Sequence, residues 1–244
     1  MGYRIAIVGD SVTFGEGVVQ TEETFAQVME DTLNRKQSTM RVKVFNFAAS
    51  AYNVQVMTAT LSQRMPEVEP DLVLMAIIPE DFNLSRTPEV DAWGYLTDNK
   101  LSGFLPRDSS VRLVLRKSHT IYLLRDLINA RLDRGARAEE MLAAGSVPDS
   151  YSFVKAFRET AGQQNLSYAV VLLPSLQSGF GPLPSRLTLD GVTFVDLSFL
   201  RAQFTPEQFR ASRFDIHPSA AVHRRIAESL ADYILESNLM KGQD

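Results

Sequence analysis

The sequence predicts an α/β fold, in which strands and helices alternate along a single chain. Short apolar runs that end at turns recur in the first third of the chain, as buried strands do, and the segments between them carry apolar residues at helical spacing. Strands separated by helices form parallel sheets with right-handed crossovers. The 244 residues, 45% of them hydrophobic, suffice for a large core and exclude intrinsic disorder.

The first half of the chain supplies three strands and two helices. YRIAIV (residues 3–8) is rich in β-branched residues and stops at a glycine turn, and RVKVFNF (41–47) and LVLMAII (72–78) have a similar apolar character. Residues 25–33 carry Phe, Val, Met and Leu at helical spacing, and residues 55–64 also favour a helix. These elements alternate as β-α-β-α-β.

The alternation stops after the third strand and returns later. Residues 82–148 begin irregularly, with Pro, Gly and the single Trp, and then favour a long helix. The alternation then resumes with a helix, two strands and a closing helix (residues 153–157, 168–173, 192–195 and 220–235). We therefore predict one domain, residues 1–244, with a five-stranded parallel sheet and a mainly helical insertion after strand three, which is a candidate lid.

Composition excludes several classes of protein. The formal net charge is −4, from 25 Lys and Arg against 29 Asp and Glu, and there is no basic run, so the chain is a poor candidate for binding nucleic acid. The absence of cysteine excludes disulfides, a thiolate nucleophile and cysteine-ligated metals. Three widely separated histidines do not predict a metal site, and we expect no cofactor.

Composition says less about location and assembly. No apolar stretch is long enough to span a bilayer, and a strand begins at Tyr3 in place of a signal peptide. We expect a cytoplasmic protein if the chain is complete, and an extracytoplasmic or membrane-anchored one if a leader was trimmed. No oligomeric state is predicted.

Polar clusters follow the strands at the points where the strands end. Gly9-Asp10-Ser11 follows strand one, residues 46–53 follow strand two, and Glu80-Asp81 follows strand three. Residues 215–218 (DIHP) come just before the last helix. Ligands of open parallel sheets bind beyond the carboxyl ends of the strands. A serine, a histidine and an aspartate are therefore expected to converge at that edge.

Four segments resemble the sequence blocks of the SGNH/GDSL hydrolases, a family of esterases, lipases and thioesterases. They are GDSVTFGEGV (9–18), NFAASAYN (46–53), IPEDFN (78–83) and DIHPSAAVHRRIAESL (215–230), and they occur in family order at sensible separations. The resemblance implies a flavodoxin-like sheet in a three-layer α/β/α sandwich.

The resemblance also implies a catalytic triad. Ser11 would be the nucleophile, His217 the general base, and Asp215 the residue that orients the imidazole. This division of labour is chemically sound, because a serine hydroxyl needs a base to take its proton and the base needs a carboxylate to fix its tautomer. Asp215 and His217 are only two residues apart, where many family members leave two residues between them. A Ser–His dyad is therefore the alternative.

The oxyanion hole departs from the family pattern. The family typically uses the N–H of the nucleophile, the N–H of a glycine and an Asn side chain, and here the second position is Ala51 and the third is Glu80. A carboxylate repels a developing oxyanion. Three alternatives follow: Glu80 is protonated and donates, Glu80 turns away to pair with an arginine, or Asn83 supplies the amide.

These residues predict a serine esterase or acylhydrolase that cleaves a small acyl or acetyl ester of a small molecule or glycan. The alternatives are a catalytically weakened SGNH domain that binds a glycan, a lipid or a protein, and an O-acyltransferase. Trp93 in the insertion is expected either to contact the substrate or to pack the long helix onto the sheet.

Three further residues are given structural roles. Asp10 is expected to cap the turn that follows strand one, and Asp81 to hold the end of strand three. His223, next to two arginines on the last helix, is expected to lie on a solvated face.

Overall fold

A computed structural model describes residues 2–37, 39–83, 150–237 and 239–240, together with the backbone of two short strands, β4 (Glu89–Val90) and β5 (Leu96–Thr97). The chain divides into two units. The first comprises Met1–Thr87 and Asp149–Asp244, and the second Pro88–Pro148. The described part of the second unit is the antiparallel pair β4–β5. All the features discussed below belong to the first unit.

The first unit is built on a five-stranded parallel sheet. Its strands are β1 (Tyr3–Val8), β2 (Val42–Asn46), β3 (Leu72–Ile77), β6 (Tyr168–Leu172) and β7 (Phe194–Asp196). Their order in the sheet is β2-β1-β3-β6-β7, and every neighbouring pair is parallel. All six residues of the central strand β3 are buried, as expected for a sheet covered on both faces. The predicted parallel sheet is confirmed.

Helices cover both faces of the sheet. They are α1 (Ser11–Phe14), α2 (Phe25–Lys36), α3 (Val54–Val68), α4 (Ser150–Gln163), α5 (Leu183–Leu189), α6 (Pro206–Phe209) and α7 (Ala220–Glu236), with short 3₁₀ turns at Thr21–Glu23, Pro79–Phe82 and Ser198–Gln203. Residues of α2 and α7 form one apolar cluster with the sheet, and residues of α3 and α4 form another. Alternate residues of each strand point into one cluster or the other. This is the predicted three-layer α/β/α sandwich.

Two details differ from the sequence-based boundaries. Helix α3 continues past residue 64, through Pro66, to Val68, because a proline in the last turn removes a single helical hydrogen bond while the buried Met65 holds that turn against the core. The segment Asp215–Pro218 forms strand β9, which pairs antiparallel with β8 (Arg210–Ser212). Neither β8 nor β9 is long enough to show the alternation of apolar and polar residues from which a strand is predicted.

The solvated position predicted for His223 is wrong, because its side chain is fully buried between α7 and α2. Its Nδ1 accepts a hydrogen bond from the Phe25 N–H at 3.1 Å, and its ring stacks on the Phe25 ring. Burial lowers the pKa of His223 to about 4, with a further contribution from the nearby His217. His223 is therefore a neutral core residue that joins two helices.

Candidate active site

Ser11 stands at the carboxyl end of β1, on the first turn of α1. Asp10 caps this helix, since its Oδ1 accepts hydrogen bonds from the N–H groups of Val12 (3.0 Å) and Thr13 (3.4 Å). The capping role predicted for Asp10 is confirmed. Gly9 is required here, because a Cβ at this position would lie 2.2 Å from Thr13 Oγ1 and 2.8 Å from a backbone oxygen of β3. The tight turn therefore fixes where the serine hydroxyl projects.

Strand β9 carries Asp215 and His217 to the same edge. Residues two apart on a strand project from the same face, so the short spacing between them brings the two side chains together. Asp215 Oδ1 lies 2.7 Å from His217 Nδ1 and also accepts the His217 backbone N–H at 3.0 Å. The imidazole is thereby held with Nδ1 toward the carboxylate and Nε2 free to face another group.

His217 Nε2 lies 3.0 Å from Ser11 Oγ. Ser11, His217 and Asp215 thus form a continuous hydrogen-bonded chain across three segments that are distant in sequence. The Ser11 hydroxyl has a second, longer contact of 3.4 Å with Asp10 Oδ2. The His217 and Asp215 side chains are 27% and 37% exposed, so a substrate can approach them from solvent.

A second carboxylate reaches the same imidazole. Glu16 Oε2 lies 3.1 Å from His217 Nε2, and Glu16 Oε1 accepts a hydrogen bond from the Ser50 hydroxyl. Sequence analysis did not identify Glu16. The sequence feature that could have pointed to Glu16 is its position between two glycines, Gly15 and Gly17. In the structure both glycines have positive φ. These glycines let the loop after α1 turn back toward β9.

The loop after β2 contains Ala51, which has φ of 63°, in the left-handed region. An alanine in this region is strained by roughly 1–2 kcal/mol, which explains why a glycine suits this position. The turn is closed by a hydrogen bond from Tyr52 N–H to Ala49 C=O. Asn53 then caps α3 by accepting the N–H groups of its first turn. The strained residue is thus held between a closed turn and a capped helix.

Glu80, on the 3₁₀ turn after β3, points toward the loop that follows β6. Its Oε1 accepts hydrogen bonds from the hydroxyls of Ser175 (2.9 Å) and Ser178 (2.6 Å). Its Oε2 is buried and has no hydrogen-bond partner among the described residues. Of the three alternatives for Glu80, pairing with an arginine is not what the described residues show, because two serines take that place. Asn83 ends the turn, with its N–H bonded to Glu80 C=O.

Two buried carboxyl groups, those of Asp10 and Asp81, interact with each other close to Ser11. Burial raises the pKa of Asp10 to about 6, against the opposing effect of its backbone hydrogen bonds. Burial, and then the charge of Asp10, raise the pKa of Asp81 well above its ordinary value. Asp81 also accepts the Ile78 N–H at 2.9 Å, which confirms the predicted tie at the end of β3. The pair retains protons to higher pH than exposed aspartates do.

The remaining sequence-based expectations concern the insertion, metal binding and membrane-spanning helices. Trp93 and most of the predicted insertion lie outside the described residues. Within the described ranges, no group of three or more His, Asp or Glu side chains could hold a metal ion. In the same part of the chain, no helix has both the length and the apolar character needed to cross a membrane.

No protein-family model matches the sequence, and no curated protein matches it. Solved structures do share its fold. A family 3 carbohydrate esterase from Clostridium thermocellum matches with a TM-score of 0.59 and 12% identity, over 99% of this chain and 100% of that one. A lipase/acylhydrolase from Enterococcus faecalis matches with a TM-score of 0.55 and 11% identity, over 96% of each chain. A protein described as lipolytic and of the G-D-S-L family, from Desulfitobacterium hafniense DCB-2, matches with a TM-score of 0.56 and 13% identity, over 95% of this chain and 99% of that one. The chain has the fold of the SGNH/GDSL hydrolases.

Proposed function

We propose that the protein is a serine esterase that cleaves a small acyl or acetyl ester through Ser11, His217 and Asp215. The observation that carries the proposal is the hydrogen-bonded chain from Ser11 Oγ through the imidazole to Asp215, with contacts of 3.0 and 2.7 Å. Those distances are within the range that nucleophile–base and base–orienter pairs need. The fold shared with esterases and acylhydrolases supports the same assignment.

Acylation begins when the Ser11 hydroxyl attacks the ester carbonyl. Ser11 Oγ forms a bond to the carbonyl carbon, the hydroxyl proton passes to His217 Nε2, and the π electrons move onto the carbonyl oxygen. Asp215 stabilises the resulting imidazolium through Nδ1. Nε2 then gives its proton to the ester oxygen as the bond between that oxygen and the carbonyl carbon breaks, and the alcohol leaves.

The negative oxygen of the intermediate is assigned to the backbone N–H groups of Ser11 and Ala51. Ser11 is the first residue of α1, where backbone N–H groups have no acceptor within the helix. Ala51 occupies the position at which the family uses a glycine N–H, and its left-handed backbone is one that glycine adopts readily. Glu80 Oε1 accepts hydrogen bonds from Ser175 and Ser178, whereas its buried Oε2 has no partner among the described residues. The candidates for a side-chain donor to the oxyanion are therefore a protonated Glu80 and Asn83.

Deacylation repeats the chemistry with water as the nucleophile. His217 takes a proton from water, the new C–O bond forms, and Ser11 leaves with the proton returned from Nε2. An alcohol that replaced water would make the protein an O-acyltransferase, with the same residues in the same roles. The substrate class assigned here is an ester of a small molecule or a glycan, and the chemistry of these residues requires no cofactor.

The test is hydrolysis of p-nitrophenyl acetate by the wild type and by Ser11→Ala. We expect turnover by the wild type and a loss of roughly 10⁴-fold or more in kcat for the variant, because the nucleophile is removed. Ser62→Ala is the matched control, since Ser62 is an exposed serine on α3. Release of nitrophenolate is followed by absorbance, and added alcohols distinguish hydrolysis from acyl transfer by their ester products.

Equal rates for the wild type and Ser11→Ala would contradict the proposal. Complete inactivity of a folded wild type across acetyl and longer acyl esters, and across phenyl and sugar leaving groups, would favour the weakened domain that only binds a ligand.

A further inference from the structure

We propose that Glu16 is a further catalytic residue, which stabilises the protonated His217 from the side opposite Asp215. This inference rests on the proposed esterase function and adds a fourth residue to its machinery. The observation behind it is that the reacting nitrogen, His217 Nε2, has two oxygens within hydrogen-bond distance, Ser11 Oγ at 3.0 Å and Glu16 Oε2 at 3.1 Å.

The two contacts at Nε2 are attractive in different protonation states of the imidazole. With Nδ1 donating its proton to Asp215, a neutral imidazole offers only a lone pair at Nε2. The Ser11 hydroxyl can donate to that lone pair, whereas the Glu16 carboxylate has no proton to donate. The Glu16 contact becomes a charge-assisted hydrogen bond only when Nε2 has taken the proton of Ser11. Glu16 therefore interacts more strongly with the transition state than with the resting enzyme, which is the condition for raising kcat.

The loop around Glu16 is built to hold it there. A Cβ on Gly17 would lie 2.6 Å from Ala211 Cβ and 3.2 Å from both Asp215 Oδ2 and His217 Cβ, so the loop packs directly on the β8–β9 pair. Glu16 Oε1 is fixed by the Ser50 hydroxyl, which belongs to the residue before Ala51. Glu16 thus connects the catalytic imidazole to the loop of Ala51, whose backbone N–H is assigned to bind the oxyanion.

Glu16 does not consume the proton that catalysis needs. A carboxylate is a far weaker base than the alkoxide of a departing alcohol, so the proton on Nε2 passes to the leaving oxygen when the C–O bond breaks. Glu16 returns to its starting state with no net gain or loss of a proton. In deacylation it acts in the same way while His217 holds the proton taken from water.

The test is Glu16→Gln, which removes the charge and keeps the length and an oxygen that can accept from Ser50. We expect kcat and kcat/KM for p-nitrophenyl acetate to fall together by about tenfold with KM unchanged, since a partly exposed charge-assisted hydrogen bond is lost. Glu22→Gln is the matched control, because it removes the same charge from an exposed position on the following 3₁₀ turn. It is expected to behave as the wild type.

A boronic acid gives a second readout that a structural role of Glu16 would not change. Ser11 Oγ adds to boron and its proton moves to Nε2, which reproduces the charges of the intermediate. The affinity of phenylboronic acid should fall in Glu16→Gln by the same factor as kcat/KM. Glu16→Asp should recover part of both losses, because it restores the charge at a greater distance from Nε2.

A third readout does not depend on turnover. In Ser11→Ala at about pH 5, where imidazoles are ordinarily protonated, the Nε2 proton of His217 should give a low-field resonance that moves upfield in Ser11→Ala/Glu16→Gln. An unchanged resonance would overturn the inference even if the protein hydrolyses no ester. In an active enzyme, a faster or unaltered Glu16→Gln, or a change in KM alone, would overturn it while the proposed function stood. Wild-type inactivity would instead count against the proposed function.

Discussion

Replacing His217 with Gln is expected to lower kcat for p-nitrophenyl acetate by roughly 10⁴-fold or more, with little change in KM. Among the residues that the structure describes, the imidazole is the one group at hydrogen-bond distance from Ser11 Oγ that is placed both to take its proton and to be oriented by Asp215. Glutamine fills similar space but cannot accept and return a proton. Stopped-flow or steady-state release of nitrophenolate measures the loss, and circular dichroism verifies that the variant is folded.

The double variant Ser11→Ala/His217→Gln makes this prediction specific. Residues that act as one unit lose nearly all of their effect when either is removed, so the double variant should be no slower than Ser11→Ala alone. Additive losses would indicate that His217 acts on the substrate independently of Ser11. A His217→Gln variant with more than about a tenth of the wild-type kcat would exclude the general-base role.

The second large effect concerns stability and pH. The pKa of Asp10 is raised to about 6 by burial, so the folded protein keeps this proton at a pH where the unfolded chain has lost it. The stabilisation that the proton provides is complete below about pH 4 and is lost as pH rises through 6, by about 3 kcal/mol in total. Burial also raises the pKa of Asp81 well above its ordinary value, so Asp81 adds to this loss of stability as pH rises.

Asp10→Asn removes the ionisation and keeps an oxygen that can cap Val12 and Thr13. Urea unfolding from about pH 4 to 7 should therefore show the wild type losing about 3 kcal/mol relative to Asp10→Asn. Asp31→Asn, at an exposed position on α2, should follow the wild type at every pH. Parallel curves for the wild type and Asp10→Asn would show that the buried carboxyl is not protonated in the folded protein.

Much of the fold follows from local patterns in the sequence. The β1, β3 and β6 runs are apolar enough to be buried on both faces, and helices with apolar spacing separate them, which leaves a parallel sheet as the outcome. The burial of His223 could not be predicted in the same way. Its neighbours Arg224 and Arg225 are exposed. Only the tertiary contact with Phe25 shows that His223, like Val222, lies on the buried face of α7.

Some residues of the candidate site could likewise be predicted from the sequence, and others could not. Ser11, Asp215 and His217 could be named from the sequence because each belongs to a recognisable block, and parallel topology brings the blocks to one edge. Glu16 lies in the first of these blocks, but no motif assigns it a role, since its contact with His217 depends on the path of a glycine loop past β9. The hydrogen-bond partners of Glu80 could not be predicted from the sequence either, because Ser175 and Ser178 lie far along the chain on another loop.

The most direct test of the central claim is covalent labelling of the nucleophile. Diethyl p-nitrophenyl phosphate should react with the wild type to form one Oγ–P bond, with release of p-nitrophenolate, and peptide mass spectrometry should find the adduct on Ser11. No adduct should form in Ser11→Ala, and labelling should be slowed strongly in His217→Gln. An adduct on another residue with Ser11 unmodified, or equal labelling rates in the wild type and His217→Gln, would contradict a serine nucleophile activated by His217.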